Sequence, residues 1–587
     1  MSKPAPKPKT SRVRDLLTKP IRLPQWFASK PAAHAPRIFG FNDERDMVIG
    51  EVSARVVAQN LSRGRASLEV LLNETAHHEI ARLEKQRDDE VREWLGFWQK
   101  VVRKLARMSE AEQRQTLREV VEYMAQDIAG NFDPRVYNFA LKTLPGLIAG
   151  VMSPRELARG AVMNSGRFAL DKLIEISGHV DHFRNLAEVG TMVLVPTHSS
   201  NLDSLALGES LARSGLSPAV YGAGKNLFTN PIISFFMHNL GAYRVDRRVK
   251  ARLYKQVLKA YSCVMIERGY HSLFFPGGTR SRSNMIESRL KLGLAGTGVE
   301  AYSRRAVRAK ARGEQPRPIF FVPMTINYAL VLEAESLIGD YLVEEGRARY
   351  IIEDDEFSQL DRWIAFLNRL VGYESACVLR FGRPIDPFGN LVDHRGRSLA
   401  PDGRIIDPVR YVSRRGEPVL DPARDAAYTR ELGRVIVEHF RRETVIMTTQ
   451  LVAHVLFRYL IEQTPGSDLF DRMRRRGELR WDHADFVRRY SETRDRLRAL
   501  ADAGEVHMSD HLRTDSAERA LERAMGAWDG YHERTVVRLE GEEISLEDPA
   551  LLLYYQNRLV PWAEGLAGSG EGERAAALEI ASFGGAQ

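Results

Sequence analysis

Five short runs of nearly unbroken apolar residues dominate the middle of the chain: Thr191–Pro196, Pro218–Tyr221, Ser272–Phe275, Ile319–Val322 and Cys377–Phe381. A strand that is apolar on both sides must be covered on both faces. Helical stretches separate these runs, and strand and helix in alternation predict an α/β layer architecture over about residues 161–390. The sequence on either side has a different character. Residues 43–160 are predicted to form a helical N-terminal domain: between Ala66 and Met108 charges alternate with Leu, Ile, Val and Trp at spacings of three and four. Residues 391–425 are rich in Pro, Gly, Asp and Arg and are expected to form one long loop. Helical patterns return over 426–587, at Tyr428–Glu443, Leu451–Gln463 and 482–502, before a glycine-rich end expected to be a loose tail.

Residues 1–42 are predicted to be a basic, mostly disordered arm. Lys3, Lys7, Lys9, Arg12, Arg14, Lys19, Arg22 and Lys30 oppose a single Asp15, and Pro4, Pro6, Pro8, Pro20 and Pro24 break any helix there. The 587 residues carry a net charge of +8, so anionic partners are favoured: a membrane surface, nucleic acid or a phosphorylated substrate. No nucleic-acid motif accompanies the charge. A hydrophobic content of 44% excludes a wholly disordered chain. Cys263 and Cys377 are the two cysteines, too few for a disulfide framework or a cysteine-type zinc cluster, and point to a reducing compartment. No apolar stretch of the secretory-signal type is expected at the N-terminus. The longest uncharged run, Asn226–Tyr243, contains Asn226, Asn230, Pro231, His238 and Asn239 and would span a bilayer badly. Its apolar centre, 231–237, reads either as a buried core helix or as a wall touching lipid or an acyl chain.

Four segments of the α/β region carry chemistry. In the first, the strand ending at Pro196 leads into Thr197-His198-Ser199-Ser200-Asn201-Leu202-Asp203. Strand ends of this kind are where open α/β sheets place active sites. An Asp holding one imidazole nitrogen leaves the other free as a base. The same residues also fit a capped helix start, with Asp203 near the dipole and His198 incidental. Ser199 and Ser200 share this short turn with His198 and are poor nucleophile candidates. The second segment is Ala223-Gly224-Lys225, followed by Gly241-Ala242-Tyr243-Arg244-Val245-Asp246-Arg247-Arg248, with glycines for close backbone approach and arginines as phosphate forks. The third is Phe274-Phe275-Pro276-Gly277-Gly278-Thr279-Arg280-Ser281-Arg282-Ser283, a strand, a glycine turn, hydroxyls and two guanidiniums that together predict an anion cradle. The fourth is Phe321-Val322-Pro323-Met324-Thr325-Ile326-Asn327-Tyr328, followed by Glu333 and Glu335.

In order and spacing these segments resemble the four blocks of the glycerolipid acyltransferases with an H-x-x-x-x-D motif. Pro196-Thr-His198…Asp203 resembles block one and Gly241-Ala-Tyr…Arg247 block two. Phe275-Pro-Gly-Gly-Thr-Arg-Ser-Arg282 resembles block three and Val322-Pro323-Met324 block four. Three details are similar to the glycerol-3-phosphate and dihydroxyacetone-phosphate branch: Glu267-Arg-Gly-Tyr270 before block three, Ile326-Asn-Tyr328…Val331-Leu-Glu333, and the distant Leu552-Leu-Tyr554-Tyr555-Gln-Asn557, which is close to L-x-Y-Y-R-N. Two positions depart from the pattern. Ser199 stands where Arg or Gln is usual. Gly277 stands where block three has an acid, so that what the acid does must be lost or supplied by another residue.

The resemblance implies a mixed sheet flanked by helices, with helical N- and C-terminal regions. It implies an enzyme moving a long-chain acyl group from acyl-CoA or acyl carrier protein to a hydroxyl of glycerol 3-phosphate, the first step of glycerophospholipid synthesis. Alternatives are a lysophosphatidate acceptor or a non-catalytic lipid-binding protein. The catalytic pair would be His198 and Asp203. Substrate contacts would come from Arg247, Gly277, Gly278, Thr279, Arg280, Ser281, Arg282 and Pro323, with the arginines on the acceptor phosphate and backbone N–H groups near Gly277 and Gly278 on the oxyanion. No metal and no cofactor beyond the thioester co-substrate is called for. The expected location is peripheral, on the cytoplasmic side of the cell membrane, with the basic arm and the basic 280–312 face against anionic lipid. At roughly 1 kcal/mol per basic residue near such a surface, replacing the arm's Lys and Arg by neutral residues should markedly reduce co-sedimentation with anionic vesicles. Unchanged sedimentation would refute that role.

Overall fold

The computed structural model describes residues 36–85, 89–142, 173–225, 231–345, 376–529 and 532–583. Most of the basic arm and the stretch 143–172 therefore lie outside the described residues. The arm gives way to structure earlier than the sequence predicts. Arg37–Gly40 forms a 3-10 turn that runs into α1 (Phe41–Leu61), because Ile38 and Phe41 are both buried. Helices α2 (Arg65–Leu83), α3 (Asp89–Lys104) and α4 (Glu110–Ile128) follow. The start of α4 is a capping box: the Glu112 N–H donates to Ser109 Oγ, and the Ser109 N–H donates to the Glu112 carboxylate.

The central sheet has seven strands: β1 (Ile174–Gly178), β2 (Thr191–Pro196), β3 (Val220–Gly224), β4 (Ala242–Val245), β5 (Ser272–Leu273), β6 (Ile319–Tyr328) and β7 (Cys377–Phe381). Their order is β1-β7-β6-β2-β5-β3-β4. The neighbours from β6 to β4 are parallel; β7 runs antiparallel to β6 and parallel to β1. The sheet is thus mixed and mostly parallel. β1 and β4 were not expected as strands. β1 is only half-buried at the sheet edge, and β4 is four residues long, so neither shows the long apolar run of a central strand. Helices α5 (Val180–Val189), α6 (Asp203–Arg213), α7 (Pro231–Asn239), α8 (Arg252–Glu267), α9 (Ala295–Arg312) and α10 (Ala334–Glu345) alternate with the strands.

Helix α8 joins two cores. Cys263 and Ile266 face the sheet's core, whereas Leu253, Tyr254, Val257, Tyr261, Val264 and Met265 pack with α1 and α4. The N-terminal helices are also stitched to the sheet edge through backbone: the Asn131 N–H donates to His238 O and the Gly241 N–H to Asn131 O. A Cβ at Gly130 would lie 2.2 Å from Ala242 O, so this contact requires glycine.

Beyond β7 the chain departs from the expected single loop. Residues 391–418 form short antiparallel ladders, Leu391–Val392 with Ser398–Leu399 and Ile405–Ile406, then Ser413–Arg414 with Glu417–Pro418. The Asp and Gly residues that suggested a loop are the turns of these ladders; Gly389, Gly396, Gly403 and Gly416 all have left-handed φ. Helices α11 (Pro422–Arg442), α12 (Thr448–Gln463), α13 (His483–Asp502), α14 (Ala517–Asp529) and α15 (Pro549–Gln556) build the C-terminal region. A three-stranded antiparallel sheet, Arg480–Asp482, Glu543–Leu546 and Val537–Glu540, lies among them. The end expected as a loose tail contains a helix, Glu571–Ser582, because Ala576, Ala577 and Ile580 are buried at helical spacing.

Glu443 ties this region to the sheet. Its carboxylate pairs with Arg380 of β7 at 2.7 Å and with His507 at 3.7 Å, and its carbonyl accepts the Thr325 hydroxyl of β6. Burial would raise the Glu443 pKa, but the His507 and Arg380 partners override it and pull the pKa down to about 2 from 4.5. A group depressed in the folded state stabilises above its unfolded pKa and loses that contribution as pH falls through the folded value. Glu443→Gln should therefore cost roughly 2–3 kcal/mol above about pH 5.5. The wild-type advantage should shrink between pH 4.5 and about 2, measured as the difference in Tm across a pH series. A difference independent of pH would contradict this.

Candidate active site

The sheet's parallelism brings the four chemical segments together. β2, β3, β4, β5 and β6 run in the same direction, so the residues that follow them emerge at one edge. His198 follows β2, Arg247 follows β4, the glycine turn follows β5 and Glu333 follows β6.

Asp203, the first residue of α6, is fully buried and its carboxylate is surrounded by donors. His198 Nδ1 lies 2.8 Å from Oδ2, which also accepts the N–H groups of Ser199 (2.7 Å) and Ser200 (3.1 Å). Oδ1 accepts the Tyr328 hydroxyl of β6 at 2.8 Å. Of the two readings from sequence the pairing is present; Asp203 does open α6, but the N-cap position is Leu202 and no side chain caps the helix, so the carboxylate closes the turn and holds the imidazole. The His198 ring stacks on Phe275, with centroids 4.1 Å apart. Its backbone N–H donates to Glu287 Oε1 at 2.7 Å, and its carbonyl accepts the Ser281 N–H at 2.8 Å. β2 and the glycine turn are thus locked together at the imidazole.

A second buried carboxylate, Glu333, accepts the Ser200 hydroxyl (2.9 Å), the Asn201 N–H (2.9 Å) and Arg280 Nη1 (3.1 Å). Burial pushes its pKa up, and the Arg280 charge with the Asn201 and Ser200 donors opposes the rise. Arg247, exposed after β4, lies near enough to Arg280 to feel its charge; loss of hydration and that repulsion lower its pKa. Lys291 extends over the glycine turn, where a Cβ at Gly278 would come within 2.9 Å of its Nζ. Three cations therefore crowd one turn, an arrangement suited to an anion.

The remaining expected residues divide. Gly277, Gly278, Thr279, Arg280 and Ser281 form the turn beside His198. The Gly278 N–H donates to Phe275 O and so closes the turn instead of pointing at an oxyanion. Gly278 has φ +77°, which favours glycine there. Arg282, expected on the acceptor phosphate, instead pairs with Glu344 of α10. Pro323, expected as a substrate contact, is buried within β6 opposite Val195, and its carbonyl accepts the Gly382 N–H. Its contribution is to the sheet.

Sequence reasoning did not anticipate Lys291, Glu287 or Arg558. Arg558 is fully buried and donates through Nη2 to Asn327 Oδ1 at 3.1 Å; burial lowers its pKa, and Glu287 is the foremost charge opposing that. The segment around it also holds the loop after the glycine turn. The Asn557 side chain donates to Ser283 O and the Asn284 side chain to Tyr554 O. The signal available was Asn557 itself, one residue before Arg558 at the end of the downstream motif. Beside α6 lies an apolar cavity of about 150 Å³ lined by residues including Leu205, Gly208, Leu211, Tyr221 and Leu273.

Residues 179–327 match the family model described as Acyltransferase. The match covers about a quarter of the chain. It contains His198, Asp203, Arg247, Arg280 and the glycine turn. The chain is similar to curated glycerol-3-phosphate acyltransferases. That of Pseudomonas aeruginosa is 34% identical over 164 residues, covering 28% of this chain and 18% of the relative. That of Pseudomonas syringae pv. tomato is 27% identical over 288 residues, covering 48% of this chain and 32% of the relative. That of Pseudomonas entomophila is 27% identical over 297 residues, covering 49% and 33%. The matched part thus spans a third or less of these longer proteins.

The carboxylate network around Asp203 makes a direct prediction. Tyr328→Phe removes the hydroxyl that donates to Asp203 Oδ1 and should lower stability by about 1–3 kcal/mol, read as a reduced midpoint in urea. An unchanged midpoint would show that the hydroxyl does not matter to the buried charge.

Proposed function

We propose that the protein transfers a long-chain acyl group from a thioester, on coenzyme A or acyl carrier protein, to a hydroxyl of glycerol 3-phosphate, opening glycerophospholipid synthesis. The observation that carries this reading is the His198–Asp203 pair, 2.8 Å apart, at the same sheet edge as the crowded Arg247 and Arg280. The names of the relatives support it. An acceptor phosphate between the two guanidiniums would relieve their mutual repulsion, so the site favours a phosphorylated alcohol over a neutral one.

The chemistry then follows from the protonation state that Asp203 selects. With the Nδ1–H donated to Asp203, Nε2 is the basic nitrogen. It takes the proton from the acceptor hydroxyl as that oxygen attacks the thioester carbonyl carbon. The C–O bond forms, the tetrahedral intermediate collapses, and the C–S bond breaks. The proton held on Nε2 passes to the departing thiolate, leaving an ester and a free thiol. No acyl-enzyme is required. The positive rim of Arg280 and Lys291 stabilises the oxyanion electrostatically. The apolar cavity beside α6 takes part of the acyl chain. Product lipids reside in membranes, and the basic arm supports a peripheral site of action at the cytoplasmic face of the cell membrane. Among the described residues no helix is long and apolar enough to cross a membrane.

The test is purified protein with labelled acyl-CoA or acyl carrier protein and separate glycerol 3-phosphate, dihydroxyacetone phosphate and lysophosphatidate. Glycerol 3-phosphate should be the best acceptor. His198→Ala should lose about a thousandfold in kcat with an unchanged circular dichroism spectrum, and its Tm should fall because Asp203 loses one of its donors. Near-wild-type turnover in His198→Ala would overturn the base assignment. Transfer to lysophosphatidate alone would move the acceptor. Vesicle binding with no transfer to any acceptor would favour a lipid-binding role.

A further inference from the structure

Gly277 raises a question that its backbone does not answer. Its φ lies outside the left-handed region, so an L side chain could be accommodated by the main chain there, unlike at Gly278. What occupies the side-chain space is Glu287. A Cβ built on Gly277 would lie 3.2 Å from Glu287 Cγ and 3.6 Å from Glu287 Oε1. The carboxylate of Glu287 therefore sits where a residue at 277 would place its own side chain.

That carboxylate is built into the site. Oε1 accepts the backbone N–H of His198 at 2.7 Å, directly at the residue whose imidazole Asp203 holds. Oε2 is buried and has no hydrogen-bond partner among the described residues. The buried Arg558 of the C-terminal region supplies the opposing charge, and its Nε and Nη1 are likewise without partners among the described residues. The loop that delivers Glu287 is fixed from the same region: Asn284, at φ +63°, donates to Tyr554 O, and Asn557 donates to Ser283 O.

We propose that Glu287 is a positioning residue for His198, delivering from ten residues downstream the carboxylate that position 277 lacks, with Arg558 of the C-terminal region as its counter-charge. Its grip on the His198 N–H sets the turn on which the imidazole stands. This rests on the acyl-transfer reading above.

The experiment compares kinetics and Tm of the full chain with Glu287→Ala, Glu287→Gln, Gly277→Glu and the double variant Glu287→Ala/Gly277→Glu, using acyl-CoA and glycerol 3-phosphate. Glu287→Ala should lower kcat on the order of 30-fold while KM for the donor stays within about twofold, because the imidazole is misplaced and the donor site is not. Glu287→Gln should fall between, since its amide oxygen can still accept the His198 N–H. Gly277→Glu alone should lower Tm, because two carboxylates would compete for one space. The double variant should regain most of that Tm and at least about fivefold of the kcat lost in Glu287→Ala. A Glu287→Ala enzyme with kcat within about twofold of wild type overturns the proposal, as does a double variant that regains Tm but no kcat. If the wild-type protein acylates no acceptor, the functional reading itself fails. The exchange is then decided by Tm alone: relief of Gly277→Glu by Glu287→Ala supports a shared space, and simple additivity overturns it.

Discussion

The carboxylate of Asp203 is the constraint on which the rest of the site depends. It is a charge with no access to water, and such a charge survives only where donors replace its hydration. Here two backbone N–H groups, one imidazole and one phenol do so. Each donor comes from a different commitment of the fold. The N–H groups of Ser199 and Ser200 point inward because the chain turns between Pro196, where β2 ends, and Asp203, where α6 begins. The phenol arrives because β6 lies beside β2 in a register that the Thr197 N–H to Met324 O and the Ile326 N–H to Thr197 Oγ1 carry past the last paired residues. Removing one donor from such a buried group costs about 1–3 kcal/mol. The orientation of the imidazole is therefore fixed by the same free energy that fixes the sheet.

A vertical separation of charge follows. Asp203, Glu287 and Glu333 lie beneath the turn with their carboxylates in the interior, while Arg247, Arg280 and Lys291 lie toward its rim. Arg280 links the layers, because its Nη1 meets Glu333. Glu333 holds Arg280 over the turn without cancelling its field at the surface, and a cationic rim above low-dielectric protein draws anions toward the imidazole.

The parts of this architecture that were legible in the sequence are those in which a local pattern meets a single physical demand. β2, β6 and β7 announce themselves as apolar runs because both faces are covered. His198 and Asp203 were legible because five residues across a strand-to-helix turn is a distance that one carboxylate can span. The edge strands were hidden by partial exposure. The ladders of 391–418 were hidden because two-residue strands leave only their turns in the pattern. Arg282 and Pro323 belong to the right segments, but the segment does not say which way a side chain faces. Arg282 alternates away from Arg280 and finds Glu344, and Pro323 falls inside the sheet. Glu287 was invisible for a further reason. A carboxylate can be supplied from any backbone position that reaches the same space, so the vacant side chain at Gly277 could not by itself point to the residue that fills it.

The C-terminal region shows why a family boundary is not a physical boundary. The acyltransferase match ends at 327, yet the loop carrying Arg280 and Glu287 is tied down by residues 554–558, some 270 positions later in the chain. A left-handed backbone at Asn284 is unfavourable for a side-chain-bearing residue unless local hydrogen bonds support it, and Asn is among the residues that tolerate it best. Its side chain obtains that support from Tyr554 O, inside α15. Arg558 then places a buried positive charge within range of Glu287 and Asp203, opposing the rise that burial imposes on the Glu287 pKa. The downstream motif thus supports the candidate site by electrostatics and by backbone contacts, and the α/β domain and the helices behind it are structurally joined there.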